Sequence, residues 1–332
     1  MTGPVAVGGP YFDELVVGQR FDDAPSVTLT SGLAATHQAI LGDRMRLALD
    51  ATLARRVTGA PEPVAHPGLV CDLAIGQSTL ATHHVKANLF YRGLRFLRFP
   101  HIGDTLTTTT EVVGLRENSA KPGRAPTGLA ALHIITTDQN GRAVLDFHRC
   151  AMLPLSASVD PGRTRPADDL HEIGDASSTP TLPEWDLAAF RETVPGQHFS
   201  TDLVGTVFAS SGDVVSSAPE LARLTLNIAA THHDVRVGRQ GRLVYGGHTI
   251  GLALAQANRA LPNLVTVLDW QSCDHTGPVH EGDTLTSELH VEDAAALDSG
   301  GGIVALRSMV VAHDPDGAER PVLDWRLRAL MA

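Results

Sequence analysis

Phe12-Asp-Glu-Leu-Val-Val-Gly-Gln-Arg-Phe21 is matched by Phe190-Arg-Glu-Thr-Val-Pro-Gly-Gln-His-Phe199, a shift of 178 residues that keeps the Gly-Gln pair and both aromatic ends. Gly103-Asp-Thr-Leu-Thr107 returns as Gly282-Asp-Thr-Leu-Thr286, and Val144-Leu-Asp-Phe147 returns as Val322-Leu-Asp-Trp325. Three matches in the same order at shifts of 178 or 179 make the chain a tandem duplication. Whatever one half folds into, the other half must fold into as well. With two copies only, the duplication points to the fused equivalent of a homodimer rather than to a solenoid. At 332 residues and 43% hydrophobic content, each copy can bury its own core.

Between Pro154 and Glu184 large apolar residues thin out, and Pro, Asp, Ser and Gly gather in Asp160-Pro-Gly-Arg-Thr-Arg-Pro166 and Ala176-Ser-Ser-Thr-Pro180. That composition marks a surface linker. The expected organisation is an N-terminal domain over 1–155, a linker over 156–184 and a C-terminal domain over 185–332. In the second half, residues 246–261 carry small and aliphatic side chains on nearly every side, as a helix buried all round requires. Alternating, β-branched segments follow at 264–268, 283–291, 303–311 and 322–327, separated by turn signals such as Asp314-Pro-Asp-Gly317. The first half shows the same coarse pattern. The expected class is α+β, a tandem or double hotdog: two long central helices, each wrapped by an antiparallel sheet, packed edge to edge.

A formal charge of −11 argues against general affinity for nucleic acid, whose phosphates need a positive stripe. An anionic small ligand then needs a local basic patch. No apolar run approaches a membrane span. The first ten residues lack the basic start and apolar core of a signal peptide. Cys71, Cys150 and Cys273 have no paired spacing. A cytoplasmic protein is expected.

The chemistry-bearing segments are Leu226-Asn-Ile-Ala-Ala-Thr-His-His-Asp234, Leu243-Val-Tyr-Gly-Gly-His248 and Gly277-Pro-Val-His-Glu-Gly-Asp-Thr-Leu285. Together they resemble the MaoC-like (R)-specific enoyl-CoA hydratases and dehydratases, in the double-hotdog branch of mesaconyl-CoA hydratase (β-methylmalyl-CoA dehydratase). In that family an Asp lies five residues before a His, the His is followed by x-Asp, and a His-Gly step opens the central helix. The resemblance puts His232 at the catalytic histidine, Asn227 in place of the aspartate, and Gly246 where a backbone N–H faces the substrate's oxyanion. Asp234, Tyr245, which replaces the family's histidine, and Gly247 fall on the substrate-binding wall. The first half keeps Asp43 but has Ala48 where the histidine belongs. That half is expected to complete a CoA groove without running the reaction.

The resemblance implies reversible (R)-type hydration of a small or branched enoyl-CoA, or dehydration of a 3-hydroxyacyl-CoA. His232 would be the acid and base, Asn227 would hold water, and Gly246 N–H would donate to the thioester oxygen. An acyl-CoA thioester is the expected partner. No metal or redox cofactor is implied, because CoA enters as part of the substrate. Adjacent histidines such as His232-His233 and His83-His84 face one ion poorly. Arg92, Arg95 and Arg98, and Arg236, Arg239 and Arg242, are the local basic clusters for phosphates. Two other classes compete: an acyl-CoA-binding protein that has lost turnover, favoured by Asn227 and by the lost histidine of the first half, and a thioesterase, disfavoured because the central helix carries no distinct carboxylate placed for water attack. The sequence leaves open whether two chains form a homodimer.

Overall fold

The computed structural model describes residues 7–120, 122–160, 162–174, 179–237 and 241–332. The first half runs β1 (Arg20–Phe21), β2 (Val27–Thr28), α1 (Ser31–Leu41), α2 (Arg46–Leu49), α3 (Ala51–Thr58), α4 (Pro67–Gln77), then β3 (Ala87–Phe96), β4 (Thr105–Glu117), β5 (Thr127–Thr137) and β6 (Ala143–Pro154). The second half runs α5 (Leu187–Thr193), β7 (Val207–Ala209), β8 (Asp213–Val214), α6 (Ala218–Leu224), α7 (Ala230–His233), α8 (Gly246–Ala260), then β9 (Leu264–His275), β10 (Thr284–Ala296), β11 (Gly302–His313) and β12 (Glu319–Met331). In each half one apolar helix is followed by four long antiparallel strands. This is the expected double hotdog.

The strands form one sheet in the order β1-β4-β5-β6-β3-β9-β12-β11-β10-β7. The halves meet edge to edge where β3 pairs antiparallel with β9, with Leu94 opposite Trp270 and Tyr91 opposite Cys273. Each half thereby covers the other's exposed sheet edge, which would otherwise invite aggregation. The strands run beyond the sequence expectation mainly at their C-terminal ends, β9 to His275, β10 to Ala296 and β12 to Met331, because pairing continues past the most apolar stretch. β11 alternates buried and half-buried residues along its whole length, the period that a sheet with one face on the core requires.

The central helices α4 and α8 pack against the sheet and against each other and are buried along almost their entire lengths. Leu69 and Leu73 of α4 share one core with Ile250, Leu254, Trp270 and Trp325 of the second half. The repeated Gly-Asp-Thr-Leu is a turn device. Asp104 Oδ2 accepts the His101 N–H at 2.8 Å and Asp283 Oδ2 accepts the His280 N–H at 2.7 Å, fixing the same corner before β4 and before β10.

The segment expected as a linker has its own contacts with the first sheet. Leu170 packs against Phe90, Ala131 and Cys150, and Asp168 Oδ2 accepts the Leu115 N–H at 2.8 Å. Among the described residues no helix is long and apolar enough to cross a membrane.

Candidate active site

The site is built where α6, α7 and the start of α8 meet the first half. After α6 the chain turns sharply at Leu226, whose φ of +59° is in the left-handed region that non-glycine residues rarely occupy. The turn drives Asn227 inward, where it is 3% exposed. Its Oδ1 accepts the Ala229 N–H at 3.0 Å and so opens α7. Asp43 does the same in the first half, accepting the Met45 N–H at 2.7 Å. Asn227 and Asp43 are therefore structural counterparts, as the spacing implied, and His232 and Ala48 follow each of them by five residues.

His232, on the last turn of α7, places Nδ1 2.8 Å from the Leu243 carbonyl. A carbonyl only accepts, so in the neutral ring Nδ1 carries the proton and Nε2 keeps its lone pair. Burial pushes the His232 pKa down to about 4, the Leu243 carbonyl opposing this and His233 and Arg149 adding to it. The ring is thus neutral at pH 7. His233 turns the other way, and its Nε2 donates to the Asn227 carbonyl at 2.6 Å, a structural bond. Among the described residues no group of three or more His, Cys, Asp or Glu is arranged to hold a metal ion.

A cavity of about 280 Å³ lies beside His232, and Asn227, Tyr245 and Gly246 line it from the second half. Gly246 begins α8, so its N–H has no carbonyl one turn back to bond. The positive end of the helix adds to its pull on an anionic oxygen. His275 Nε2 would lie 2.7 Å from a Cβ at Gly246, so glycine is what lets the helix start so close to β9. Ile75, Tyr91 and Arg149 come from the first half. The site is shared between the two copies.

Other sequence candidates lie elsewhere. Asp234 is clasped by Arg236 at 2.7 to 3.1 Å, and the pair projects to solvent outside the cavity lining. Arg92 stacks on Phe90 at 3.9 Å and donates to the His171 carbonyl, while Arg95 is paired with Asp146 at 2.7 Å. Both sit away from the cavity because their positions on β3 carry them to the outer face of the sheet, and Arg98 is engaged with the Ala143 carbonyl. Gly247 faces the first half instead of the cavity, where a Cβ would fall 2.1 Å from Asp72 Oδ1. Arg242 borders a second hollow that adjoins His232 and faces Glu281 at 3.8 Å. Arg239 lies outside the described residues. Tyr245 lines the cavity with its ring, 5.8 Å from that of His232, but its hydroxyl donates to Asp72 Oδ1 at 3.1 Å.

Among the cavity residues that escaped sequence reading are Tyr91, Arg149 and His275. The repeat could have revealed them. At shifts of 179, 178 and 179 their counterparts are Trp270, Leu327 and Phe96. Register agrees, since Tyr91 pairs with Arg149 as Trp270 pairs with Leu327. In the first half's version of the site, Phe96 and Trp270 close the space to about 10 Å³. Asp43 and His66 there lie 3.1 Å apart, and Asn258 donates to Asp43 at 3.0 Å. Burial alone would raise the Asp43 pKa, but His66, the Met45 N–H and Asn258 hold it below the usual carboxylate value. Asp72, a carboxylate on α4, is also withdrawn from the cavity, bonded to His37 at 3.0 Å and to Tyr245.

His248 is buried and His275 is half-buried in the cavity wall, and desolvation pushes the pKa of each to about 4. Neither His248 ring nitrogen has a partner among the described residues. Below about pH 6.5 the unfolded chain binds protons that the folded chain refuses. Stability present near neutrality is therefore lost as pH falls toward 4, by roughly 2 kcal/mol per such histidine at pH 5. Melting curves between pH 7.5 and 5 should show this fall, and His248→Leu should flatten it.

No family model matches the chain. It is 28% identical to the β-methylmalyl-CoA dehydratase of Chloroflexus aurantiacus over 96% of this chain and 91% of that protein. It is 27% identical to the mesaconyl-CoA hydratase of Cereibacter sphaeroides over 92% and 90%. Among solved structures, a conserved hypothetical protein of Mycobacterium tuberculosis with a double hotdog fold superposes with a TM-score of 0.94 at 63% identity, covering 99% of this chain and 100% of that one. A MaoC-domain protein of Chloroflexus aurantiacus gives a TM-score of 0.83 at 27% identity, covering 97% of both chains.

Proposed function

Since the chain has the double hotdog fold and is similar to CoA hydratases and dehydratases of the MaoC type, we propose that it catalyses the reversible (R)-type hydration of a small or branched enoyl-CoA. The reverse reaction is dehydration of the 3-hydroxyacyl-CoA. One observation carries this reading. The basic Nε2 of His232 and the free N–H of Gly246 border one cavity, whose counterpart in the other half is filled.

The chemistry follows from those two groups. His232 Nε2 takes a proton from water as the water oxygen bonds to the β-carbon. The electron pair of the double bond shifts toward the α-carbon and the thioester oxygen. Gly246 N–H and the start of α8 stabilise the charge gathering on that oxygen, a single such donor being worth about 10²- to 10³-fold in rate. The protonated His232 then delivers its proton to the α-carbon, so both additions come from one face. Asn227 holds the water by hydrogen bonding and takes no part in proton exchange. CoA arrives as part of the substrate, and this route calls on no metal or redox cofactor.

Absorbance at the enoyl-thioester band, with crotonyl-CoA and mesaconyl-CoA, tests the reading; loss of the band on adding protein supports it. Asn227→Asp keeps the acceptor for the Ala229 N–H and adds an exchangeable proton, so its rate should exceed that of the parent by about 10-fold or more. A second reading, an acyl-CoA-binding protein without turnover, is favoured by Asn227 itself. Thermal stabilisation by acyl-CoA with no loss of the band would select it. Release of free thiol would instead mark a thioesterase, which the withdrawal of Asp72 from the cavity disfavours.

A further inference from the structure

His275 ends β9 and lines the cavity beside the start of α8. A Cβ at Gly246 would lie 2.7 Å from its Nε2 and 2.8 Å from its Cε1, so the hydrogen that glycine carries there points at that edge of the ring. Nε2 is enclosed, and the described residues bond neither ring nitrogen. A C–H can rest against a lone pair but cannot accept an N–H. The proton of the neutral ring therefore belongs on Nδ1, the nitrogen left to face the cavity. Burial holds the His275 pKa at about 4, so the ring is neutral at pH 7. His232 is its complement, with the proton on the Leu243 side and a lone pair on Nε2.

The repeat shows that the fold does not require an imidazole here. At a shift of 179 the counterpart of His275 is Phe96, which ends β3 as His275 ends β9. Register agrees, since Phe96 pairs with Leu145 and His275 with Leu323, the repeat partner of Leu145. The same shift takes Gly246, the first residue of α8, to Pro67, the first residue of α4. Proline has no N–H. Pro67 and Phe96 both border the space of about 10 Å³ in the closed copy. The closed copy thus lacks two N–H donors at neighbouring points, and the open copy has both. An unbonded imidazole costs free energy that a phenyl ring would not, unless a ligand takes up its N–H.

We infer that His275 is a catalytic residue: its Nδ1–H and the Gly246 N–H donate together to the thioester oxygen as negative charge gathers there. The inference rests on the acyl-thioester reading of the cavity and adds a residue to it. The proton stays on Nδ1 throughout, and the proton transfers remain with His232. A neutral imidazole suits the task, because it stabilises a developing enolate by a hydrogen bond without protonating it.

The test is difference infrared spectroscopy of the full chain with butyryl-CoA carrying ¹³C at the thioester carbonyl, set beside the rate of crotonyl-CoA hydration. Hydrogen bonds to the carbonyl oxygen lower its stretching frequency, so the parent should hold it below the value in buffer. His275→Ala should move the frequency back up and cut the rate about 100-fold or more, while butyryl-CoA affinity changes only a few-fold. His275→Asn, which sets an amide N–H near the place of Nδ1, should bring the frequency back toward that of the parent and recover about 10-fold in rate. If the alanine variant does not fold, imidazole ¹⁵N resonances of the parent decide: an Nδ1–H tautomer whose signal moves on adding butyryl-CoA supports the inference, and an Nε2–H tautomer overturns it. An unchanged carbonyl frequency in His275→Ala overturns the inference, whatever the rate does, and leaves the hydratase reading to the parent's own turnover. A parent that lowers the frequency through His275 but hydrates nothing keeps the donor and overturns the hydratase reading. Failure of butyryl-CoA to bind overturns both.

Discussion

Replacing His232 with alanine is expected to lower turnover of an enoyl-CoA by about 10³-fold or more while acyl-CoA affinity changes only a few-fold. The expectation follows from the division of labour in the cavity. Binding surface comes from both halves, through residues such as Ile75, Tyr91 and Val279, whereas the proposed proton exchange falls to His232, which shares the cavity wall with a second imidazole, His275. Asn227 cannot substitute for it, and the first half has Ala48 at the matching position. Removing the ring also frees the Leu243 carbonyl, which water can satisfy, so the fold should survive. Steady-state rates set beside calorimetric affinities for a saturated acyl-CoA make the check. A variant that kept the parental rate would remove His232 from the mechanism.

The second large effect is on stability and begins at a glycine. Gly76, near the end of α4, lies so close to the turn after α6 that a Cβ would fall 1.7 Å from the Thr225 carbonyl oxygen and 3.2 Å from the Asn227 nitrogen. Both are backbone atoms that cannot swing aside. Gly76→Ala must push the second half's turn at Leu226 away from the first half's central helix. Overpacking of this kind costs about 3 kcal/mol, and it should also lower the rate because Asn227 and His232 ride on the displaced segment. Gly32→Ala, in α1 with its nearest neighbour at 3.9 Å, serves as the control and should leave stability unchanged or raise it by up to about 1 kcal/mol. Urea unfolding of the two variants beside the parent separates these outcomes.

The duplication made most of the fold legible. Once Phe12, Gly103 and Val144 were seen to return at 190, 282 and 322, one helix-and-strands pattern served for both halves. The length of α8 could be read directly, because a helix apolar on every side has to be buried. The strand ends could not, since edge pairing extends a strand beyond its apolar stretch. In the site, Asn227, His232, Tyr245 and Gly246 were visible because they lie within a short stretch around a helix start. Tyr91, Arg149 and His275 were not, since they reach the cavity from separate strands that only β3–β6 and β3–β9 pairing brings together. The arginines misled for a related reason. An irregularity of β3 at Gly93 brings Arg92 and Arg95 to the same outer face, where Arg95 found Asp146.

A crystal structure of the chain with a bound saturated acyl-CoA tests the central claim most directly. The thioester oxygen should sit about 2.7 to 3.1 Å from the Gly246 nitrogen, with the α- and β-carbons facing His232 Nε2 and a single thioester bound per chain. An acyl group lodged in the first half beside Asp43 and His66, or one that leaves Gly246 without a contact, would contradict the account.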